Sequence, residues 1–411
     1  MKSLSNLVRG FGPGIFAIGY TIGTGSVTSM IVAGNSFGME LLWVLVLSCL
    51  FTGTLIYVSG SYYLLTNETL LYALKKHLPI GKFVAIAILV SVAVGQWNSL
   101  VGILGITSNV IFELMAIYFP QLQGYSYLIV LGLAILIIGS FYYLMIRGNY
   151  SSFEKVLTVF VFIMAISFLF TLIFVFPLPS QIILGLIPEI PNVSGAGVLV
   201  AAFVGTTMAS ATFVSRPMFV QGKEWTIDEY AKHRKDSITA AILIFVVSGA
   251  IMGVASGSMF GQEREINSVL DMSATLEPAA GKFAVSIFFA GTLCAGLSSI
   301  FPCLMIVPLM IGDFRAGKLD VSSVRFKVIT AIASVLALSI PLFGFNPIKG
   351  QIFTQVINVF ALPLVILSLL ILWNRRSVRV PGNRWGINVI MLGALIFALI
   401  IMYNGLVNIF S

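Results

Sequence analysis

The chain has 411 residues, of which 58% are hydrophobic and only 9% are charged, and its formal net charge is +8. A soluble domain carries roughly 25% charged residues, so this composition excludes a soluble protein. The positive charge does not indicate nucleic-acid binding, because Lys and Arg in a membrane protein collect in the loops on the cytoplasmic side. We therefore predict an integral membrane protein that has the lipid bilayer as a partner and does not bind nucleic acid.

Hydropathy predicts eleven membrane spans, each long enough to cross a bilayer core of roughly 30 Å. They lie near residues 11–33, 41–65, 83–112, 126–146, 153–176, 196–220, 238–260, 283–312, 326–344, 351–373 and 386–408. The loops between them are short, so the sequence predicts one transmembrane domain over residues 1–411. The fold class that follows is an all-α membrane protein.

The distribution of Lys and Arg predicts the orientation. With a cytoplasmic N-terminus, 19 Lys and Arg residues fall in cytoplasmic segments and 3 in outer segments. This bias follows the positive-inside rule, so we expect the C-terminus on the outside.

Span one contains the sequence GYTIGTGSVTSM over residues 19–30, which is unusual for a helix in lipid. Gly23 and Gly25 each weaken a helix by about 1 kcal/mol relative to alanine. Thr24 and Ser26 carry hydroxyls that can bind freed backbone groups. Because lipid cannot satisfy such groups, a break survives only where protein or a water-filled cavity does so.

Span six repeats this pattern in GTTMASATFVSRP over residues 205–217. A separation of five spans is typical of a five-plus-five inverted repeat whose helices 1 and 6 are broken at a substrate site in mid-membrane. We predict repeat one over about 11–176, repeat two over about 196–373, and an extra helix over about 386–408. The alternative interpretation is that the small residues only allow close helix packing.

The chain resembles the NRAMP family of divalent-metal transporters along nearly its whole length. The resemblance depends on short stretches in the right order: Gly12-Pro13, Gly34 to Trp43, Gly205-Thr206-Thr207, Gln221-Gly222-Lys223, Cys294 to Ser299, Asn346-Pro347 and Gln355-Val356. It implies a leucine-transporter-type fold, transport by alternating access, and a position near the substrate for Gln355.

The chain differs from the family where that resemblance places the metal site. The family's D-P-G-N motif in span one falls on Gly23, Thr24, Gly25 and Ser26. Its M-P-H motif in span six falls on Ala209, Ser210 and Ala211, and a second family histidine falls on Arg216. The family's acidic residues in span three fall on Val92, Ser99 and Gly102. The seven positions that match the D-P-G-N and M-P-H motifs, with Gln355, are our candidate substrate-binding residues.

The residue types inside the predicted spans also argue against the family's metal site. No Asp or Glu lies in the middle of a predicted span, and His77 and His233 fall in predicted cytoplasmic loops. Transition metals need imidazole, thioether or carboxylate ligands, and proton relays use Asp, Glu and His. The sequence therefore predicts no transition-metal site and no cofactor. It also predicts that the protein is not a hydrolytic enzyme, because serines at membrane depth lack an activating base. His233, Asp228 and Asp236 are predicted to lie on a solvated surface.

Four further residues are candidates for an ion site or pathway. Ser298 and Ser299 in span eight, with carbonyls near Gly23, form a candidate sodium site, or they only pack helices. Asn98 in span three is predicted to face inward, or to bind a neighbouring helix. Arg216 either extends to the cytoplasmic surface or supplies a fixed positive charge that attracts an anion or repels cations.

We therefore predict an NRAMP-like secondary transporter with a remodelled site for a small polar or anionic solute, with sodium as a candidate coupling ion. A first alternative is a carrier of a largely hydrated divalent ion such as magnesium without proton coupling. A second is a non-transporting sensor or a channel on the same fold. We expect a bacterial inner (plasma) membrane location.

Overall fold

The computed structural model describes residues 12–147, 150–191, 195–261, 269–319, 321–343, 346–379 and 381–410. In these ranges the chain is built from α-helices and short 3-10 turns. The α-helices are α1 (Gly14–Thr21), α2 (Thr24–Phe37), α3 (Leu42–Thr66), α4 (Leu70–His77), α5 (Gly81–Tyr118), α6 (Ser126–Arg147), α7 (Tyr150–Phe174), α8 (Pro179–Leu184), α9 (Ala196–Thr207), α10 (Ser210–Gly222), α11 (Tyr230–Met259), α12 (Val269–Ala316), α13 (Val324–Ala337), α14 (Ser339–Phe343), α15 (Pro347–Trp373) and α16 (Arg384–Phe410).

The predicted all-α membrane fold is confirmed. Ten helical segments of the described chain are long and apolar enough to cross a membrane, and the bent pair α1 and α2 forms an eleventh. The spans sit at different depths in the bundle. The sixth span, made of α9 and α10, is 89% buried, whereas the fourth, which includes α6, is only 28% buried. The broken spans therefore lie inside the bundle, and lipid-facing helices surround them.

Span seven begins eight residues earlier than predicted, because α11 starts at Tyr230. A capping box precedes it: Glu229 Oε2 accepts hydrogen bonds from the backbone N–H and the hydroxyl of Thr226, both at 2.9 Å. Such a box satisfies amides that a helix start leaves free. The charged residues at the start of α11 are thus continuous with the span.

Span eight begins close to the predicted residue 283 because α12 is interrupted just before it. Gly281 has φ +77° and ψ 166°, a backbone conformation that glycine adopts without steric cost. The apolar span follows from this residue to Ala316.

Several cation-rich loops meet at one end of the bundle. The Lys75 ammonium donates to the carbonyl of Phe314 at 2.5 Å, and the amide of Leu319 donates to the side-chain oxygen of Gln221 at 2.6 Å. These contacts join the loops after spans two, six and eight. We call this end, with residues 66–82, 221–229, 313–319 and 321–325, the basic end.

Candidate functional site

Two breaks in the helices lie opposite each other at the centre of the bundle. Ile22 and Gly23 separate α1 from α2, which meet at a bend of 51°. Met208 and Ala209 separate α9 from α10. The hydroxyl of Thr206 donates to the carbonyl of Thr21 at 3.1 Å, so a side chain beside the break in span six satisfies part of the backbone at the break in span one.

A small cavity lies between these breaks. Its volume is about 10 Å³, which is about the space that one water molecule occupies. Spans one, three, six, eight and ten contribute its lining: Tyr20, Gly23, Gly25, Ser99, Ile103, Thr206, Ala209, Cys303, Gln351 and Gln355. We call this cavity the central pocket.

The glycines of span one leave room for polar side chains from other helices. A Cβ atom on Gly25 would lie 2.2 Å from Nε2 of Gln355 and 2.7 Å from Nε2 of Gln351. A Cβ atom on Gly23 would lie 2.3 Å from the hydroxyl oxygen of Ser299. The absence of side chains at these two positions therefore brings the backbone of α2 against the amides of α15 and a hydroxyl of α12.

The polar atoms of the central pocket are neutral, and one acceptor has no hydrogen-bond donor among the described residues. Oε1 of Gln351 is buried and unpaired, although the residue is only 1% exposed. Oε1 of Gln355 accepts a hydrogen bond from Asn358 at 3.1 Å. The amide of Gln96 and the hydroxyl of Tyr20 bind each other. Gln351 therefore offers a free carbonyl oxygen beside the pocket, where a cation or a water molecule can bind.

The candidate substrate-binding residues divide into two groups. Gly23, Gly25, Ala209 and Gln355 line the central pocket. The others are buried beside it but are not part of its lining: Thr24, Ser26, Ser210 and Ala211. Ser26, for example, faces α11, where its hydroxyl lies 3.4 Å from that of Ser248.

Ser298 and Ser299 lie beside the last turn of α1. The Ser299 hydroxyl donates to the carbonyl of Gly19 at 2.7 Å, and that of Ser298 lies 3.4 Å from the same oxygen. Both hydroxyls also lie close to the carbonyl of Ala295, at 3.0 and 2.9 Å. Two hydroxyls and two carbonyl oxygens thus converge at the junction of α1 and α12.

The prediction that Asn98 faces inward is wrong. Its side chain is exposed, and its amide donates to the carbonyl of Val94 in the preceding turn of α5. The next residue, Ser99, faces the pocket instead. Because adjacent residues on a helix point about 100° apart, one position decides between the interior and the surface.

The predictions for Arg216, His233 and Asp236 are also wrong. Arg216 is 1% exposed, so it neither extends to the surface nor presents a free charge. Its Nη2 donates to Oδ2 of Asp236 at 2.6 Å and to Nδ1 of His233 at 3.1 Å. His233 is fully buried in α11 and donates from Nε2 to the carbonyl of Tyr57 at 3.0 Å. Its ring is therefore the neutral tautomer that carries its proton on Nε2.

Asp236 also holds the start of α1. Its two carboxylate oxygens accept hydrogen bonds from the backbone amides of Gly12 and Gly14 at 3.0 and 2.9 Å. A carboxylate at a helix N-terminus satisfies free amides and interacts favourably with the helix dipole. One acid therefore joins α1, α10 and α11 at the basic end, and we call Arg216, His233 and Asp236 the polar triad.

Carboxylates with little exposed surface have structural roles away from the central pocket. Asp236 belongs to the polar triad, and Glu154 pairs with Lys223. Asp313 caps α4, where it accepts bonds from the hydroxyl of Thr69 and the amides of Leu71 and Tyr72. In the described residues, no three His, Cys, Asp or Glu side chains come together as a metal site would require.

Sequence reasoning did not identify Tyr20, Cys303 or Gln351 as pocket residues. Gln351 lies four residues before Gln355, the separation that places two side chains on one face of a helix. That spacing was a usable signal. Cys303 is a buried free cysteine in an apolar segment, and such a position gives no indication of a pocket.

Comparison with known proteins identifies the family. The family described as "Natural resistance-associated macrophage protein-like" matches residues 14–408. The chain is 26% identical over 403 residues to a protein named "Divalent metal cation transporter MntH" from Klebsiella pneumoniae (strain 342), covering 95% of this chain and 91% of that protein. An MntH from Mycobacterium leprae is 23% identical over 378 residues, covering 89% and 84%.

The fold is also found in solved structures. A crystal structure of the manganese transporter of Eremococcus coleocola in complex with an aromatic bis-isothiourea substituted compound superposes with a TM-score of 0.73 at 15% identity. The superposition covers 98% of this chain and 87% of that one. At this identity the likeness establishes the leucine-transporter-like fold only. The match to the family over residues 14–408 shows that this chain belongs to the Nramp family of membrane transporters, which are not enzymes.

Proposed function

We propose that this protein carries a small hard divalent cation, such as magnesium, which keeps part of its water and moves without a coupled proton. Relatives of the chain are named divalent metal cation transporters. The observation that carries the proposal is the lining of the central pocket, which combines amides, hydroxyls and a thiol with no carboxylate or imidazole. Magnesium keeps several waters when proteins bind it, so it needs fewer charged ligands in direct contact.

Two features argue against the anionic solute that the sequence suggested. The guanidinium of Arg216 is paired with Asp236 and lies in the polar triad, so it provides no unpaired charge for an anion. The central pocket also has room for about one water-sized particle. An ion without bound water fits this space, and waters would bind or leave it when the helices separate during alternating access.

A sodium-coupled carrier of a small polar or anionic solute is the second candidate. Ser298 and Ser299 favour it, because their hydroxyls converge with the carbonyls of Gly19 and Ala295 in an oxygen cluster of the type that hard cations bind. The amide nitrogens of Gln351 and Gln355, directed at Gly25 near the N-terminus of α2, would then bind the solute.

Uptake into proteoliposomes tests the proposal. Vesicles with purified protein are expected to take up magnesium without acidification of a pH-sensitive dye inside them, since the pocket has no carboxylate or histidine to carry a proton. Manganese uptake accompanied by proton influx would contradict the proposal. Solute uptake that requires a sodium gradient would favour the second candidate, and vesicles that pass no solute would point to a sensor.

Leucine substitutions at the two glutamines test which atoms hold the cation. Gln351→Leu and Gln355→Leu are expected to lower magnesium uptake at least about tenfold, because each replaces a ligand of the cation by an apolar side chain of similar size. The loss of one charge-assisted bond costs roughly 1.5–3 kcal/mol. The matched control is Asn98→Leu, which removes an amide that is exposed on α5. Equal uptake by all three variants would exclude the central pocket as the cation site.

We also infer the orientation in the membrane from the Lys and Arg distribution, with the N-terminus and the basic end in the bacterial cytoplasm. Labelling of a cysteine introduced at the exposed Ser180, in α8 of the loop between spans five and six, by a membrane-impermeant reagent on intact cells tests this inference. Protection of that cysteine until the cells are lysed would reverse the orientation.

A further inference from the structure

A crevice opens at the basic end between the end of α12 and the start of α13. Its volume is about 360 Å³, many times that of the central pocket. Three cationic side chains surround it, Arg315, Lys318 and Arg325, and apolar side chains such as Ile311 and Phe326 form its inner wall. A cavity with both characters is suited to an amphipathic ligand rather than to a small ion.

The three cations carry charge that no carboxylate of the described residues neutralises in an ion pair. Each is exposed, and none forms an ion pair with a carboxylate in the described part of the chain. Three like charges around one crevice attract an anion, and a guanidinium can bind phosphate through two parallel hydrogen bonds.

The loop that carries Lys318 is held in place by its neighbours. Gln221 accepts a hydrogen bond from the amide of Leu319 at 2.6 Å and donates to the carbonyl of Gly317 at 3.4 Å. The amide of Gly317 also donates to the carbonyl of Asp313 at 2.8 Å. The backbone around the crevice is therefore preorganised, which reduces the entropy that a ligand must overcome.

The first turn of α13 borders the same crevice. Ser323 caps this 14-residue helix by accepting a hydrogen bond from the amide of Phe326 at 3.2 Å. The positive end of the helix dipole therefore adds to the field of the three cations.

An apolar stripe leads away from the crevice along α13. It consists of Val324, Val328, Ile332 and Val335, which are 76%, 51%, 48% and 71% exposed. Their separations of four, four and three residues place them on one face of the helix. We call this face the α13 stripe, and it begins beside Arg325.

We propose that the crevice binds the phosphate of an anionic phospholipid, with an acyl chain along the α13 stripe. The three cations and the helix start recognise the headgroup, and the stripe recognises the chain that a free phosphate lacks. Basic pockets between membrane helices are suited to anionic headgroups, and each Lys or Arg near the surface contributes roughly a fivefold gain in affinity.

Native mass spectrometry of the purified full-length protein with added lipid tests this proposal. The protein is expected to retain phosphatidylglycerol and not phosphatidylcholine. In the variant R315Q/K318Q/R325Q the affinity for phosphatidylglycerol is expected to fall roughly a hundredfold, and in R325Q alone roughly fivefold. The single variant keeps the test decisive if the triple variant does not fold.

The matched control removes three exposed cations elsewhere, in K82Q/R376Q/R379Q, and is expected to keep the affinity of the natural protein. An equal loss in the control would overturn the proposal, because the attraction would then be diffuse. So would equal retention of phosphatidylcholine, or unchanged affinity in R315Q/K318Q/R325Q.

The α13 stripe is tested separately with V324S/V328S. This variant is expected to lose affinity for phosphatidylglycerol while its affinity for glycerol phosphate stays unchanged, because only the lipid has an acyl chain. Displacement of phosphatidylglycerol by an equal concentration of glycerol phosphate would show a site for a small anion and would overturn the assignment to lipid.

Discussion

Asp236→Asn is expected to destabilise the protein by about 3–5 kcal/mol, because it leaves the buried guanidinium of Arg216 without its counter-charge. The substitution also weakens the bonds to the amides of Gly12 and Gly14, which hold the start of α1. A lower midpoint of chemical or thermal unfolding in detergent measures the loss. In the same variant a cysteine placed in α1 is expected to react faster with a water-soluble reagent, since α1 separates more often from α10.

The double variant Arg216→Met with Asp236→Asn distinguishes the loss of a partner from the loss of a contact. Removing both charges avoids an unpaired buried cation, so the double variant is expected to be more stable than Asp236→Asn alone. Asp228→Asn is the control, because Asp228 is exposed near the same end of the bundle. Equal stabilities of the single and double variants would mean that the ion pair contributes nothing specific.

Gly23→Ala is expected to destabilise the protein by about 1–3 kcal/mol, the usual cost of extra atoms in a packed core, and to abolish most transport. The new methyl group would lie 2.3 Å from the Ser299 hydroxyl oxygen and 3.0 Å from its Cβ. Backbone strain is not involved, because the φ of −97° and ψ of −170° at Gly23 are open to alanine. The unfolding midpoint and magnesium uptake into proteoliposomes measure both effects.

Ser299→Gly is expected to rescue Gly23→Ala, because it removes both atoms that the methyl group would meet. Gly132→Ala provides the control, since a methyl group there meets no atom within 4 Å. If the double variant is no more stable than Gly23→Ala alone, the contact with Ser299 is not the cause. The same contact explains why the carboxylate that the family resemblance places at position 23 would not fit beside Ser299.

The sequence predicted the fold well because the features that determine the spans and their breaks are local in sequence. Eleven spans follow from hydropathy alone, and the breaks in spans one and six follow from glycines and hydroxyl residues in an apolar segment. The five-span separation of these breaks then predicted the inverted repeat.

The polar triad could not be predicted because it depends on distant residues. Asp236 and His233 lie in a stretch of charged residues. Only the packing of α11 against Arg216, 17 residues before His233, shows that His233 is buried and that the Asp236 side chain is 9% exposed. Asn98 was misplaced for a related reason, because a polar residue in a span does not show which face of its helix is buried. The residues of the central pocket come from five spans, and a single sequence does not show which of them meet.

The neutral lining of the central pocket has a consequence for the energetics of uptake. A carrier of the kind proposed above has no titrating carboxylate or imidazole at its binding site to exchange protons, so the membrane voltage would drive its cargo. A divalent cation that crosses alone gains roughly 4.6 kcal/mol per 100 mV, equivalent to about a two-thousandfold accumulation. Uptake of this kind would continue in acidic and alkaline surroundings alike and would stop when the voltage collapses.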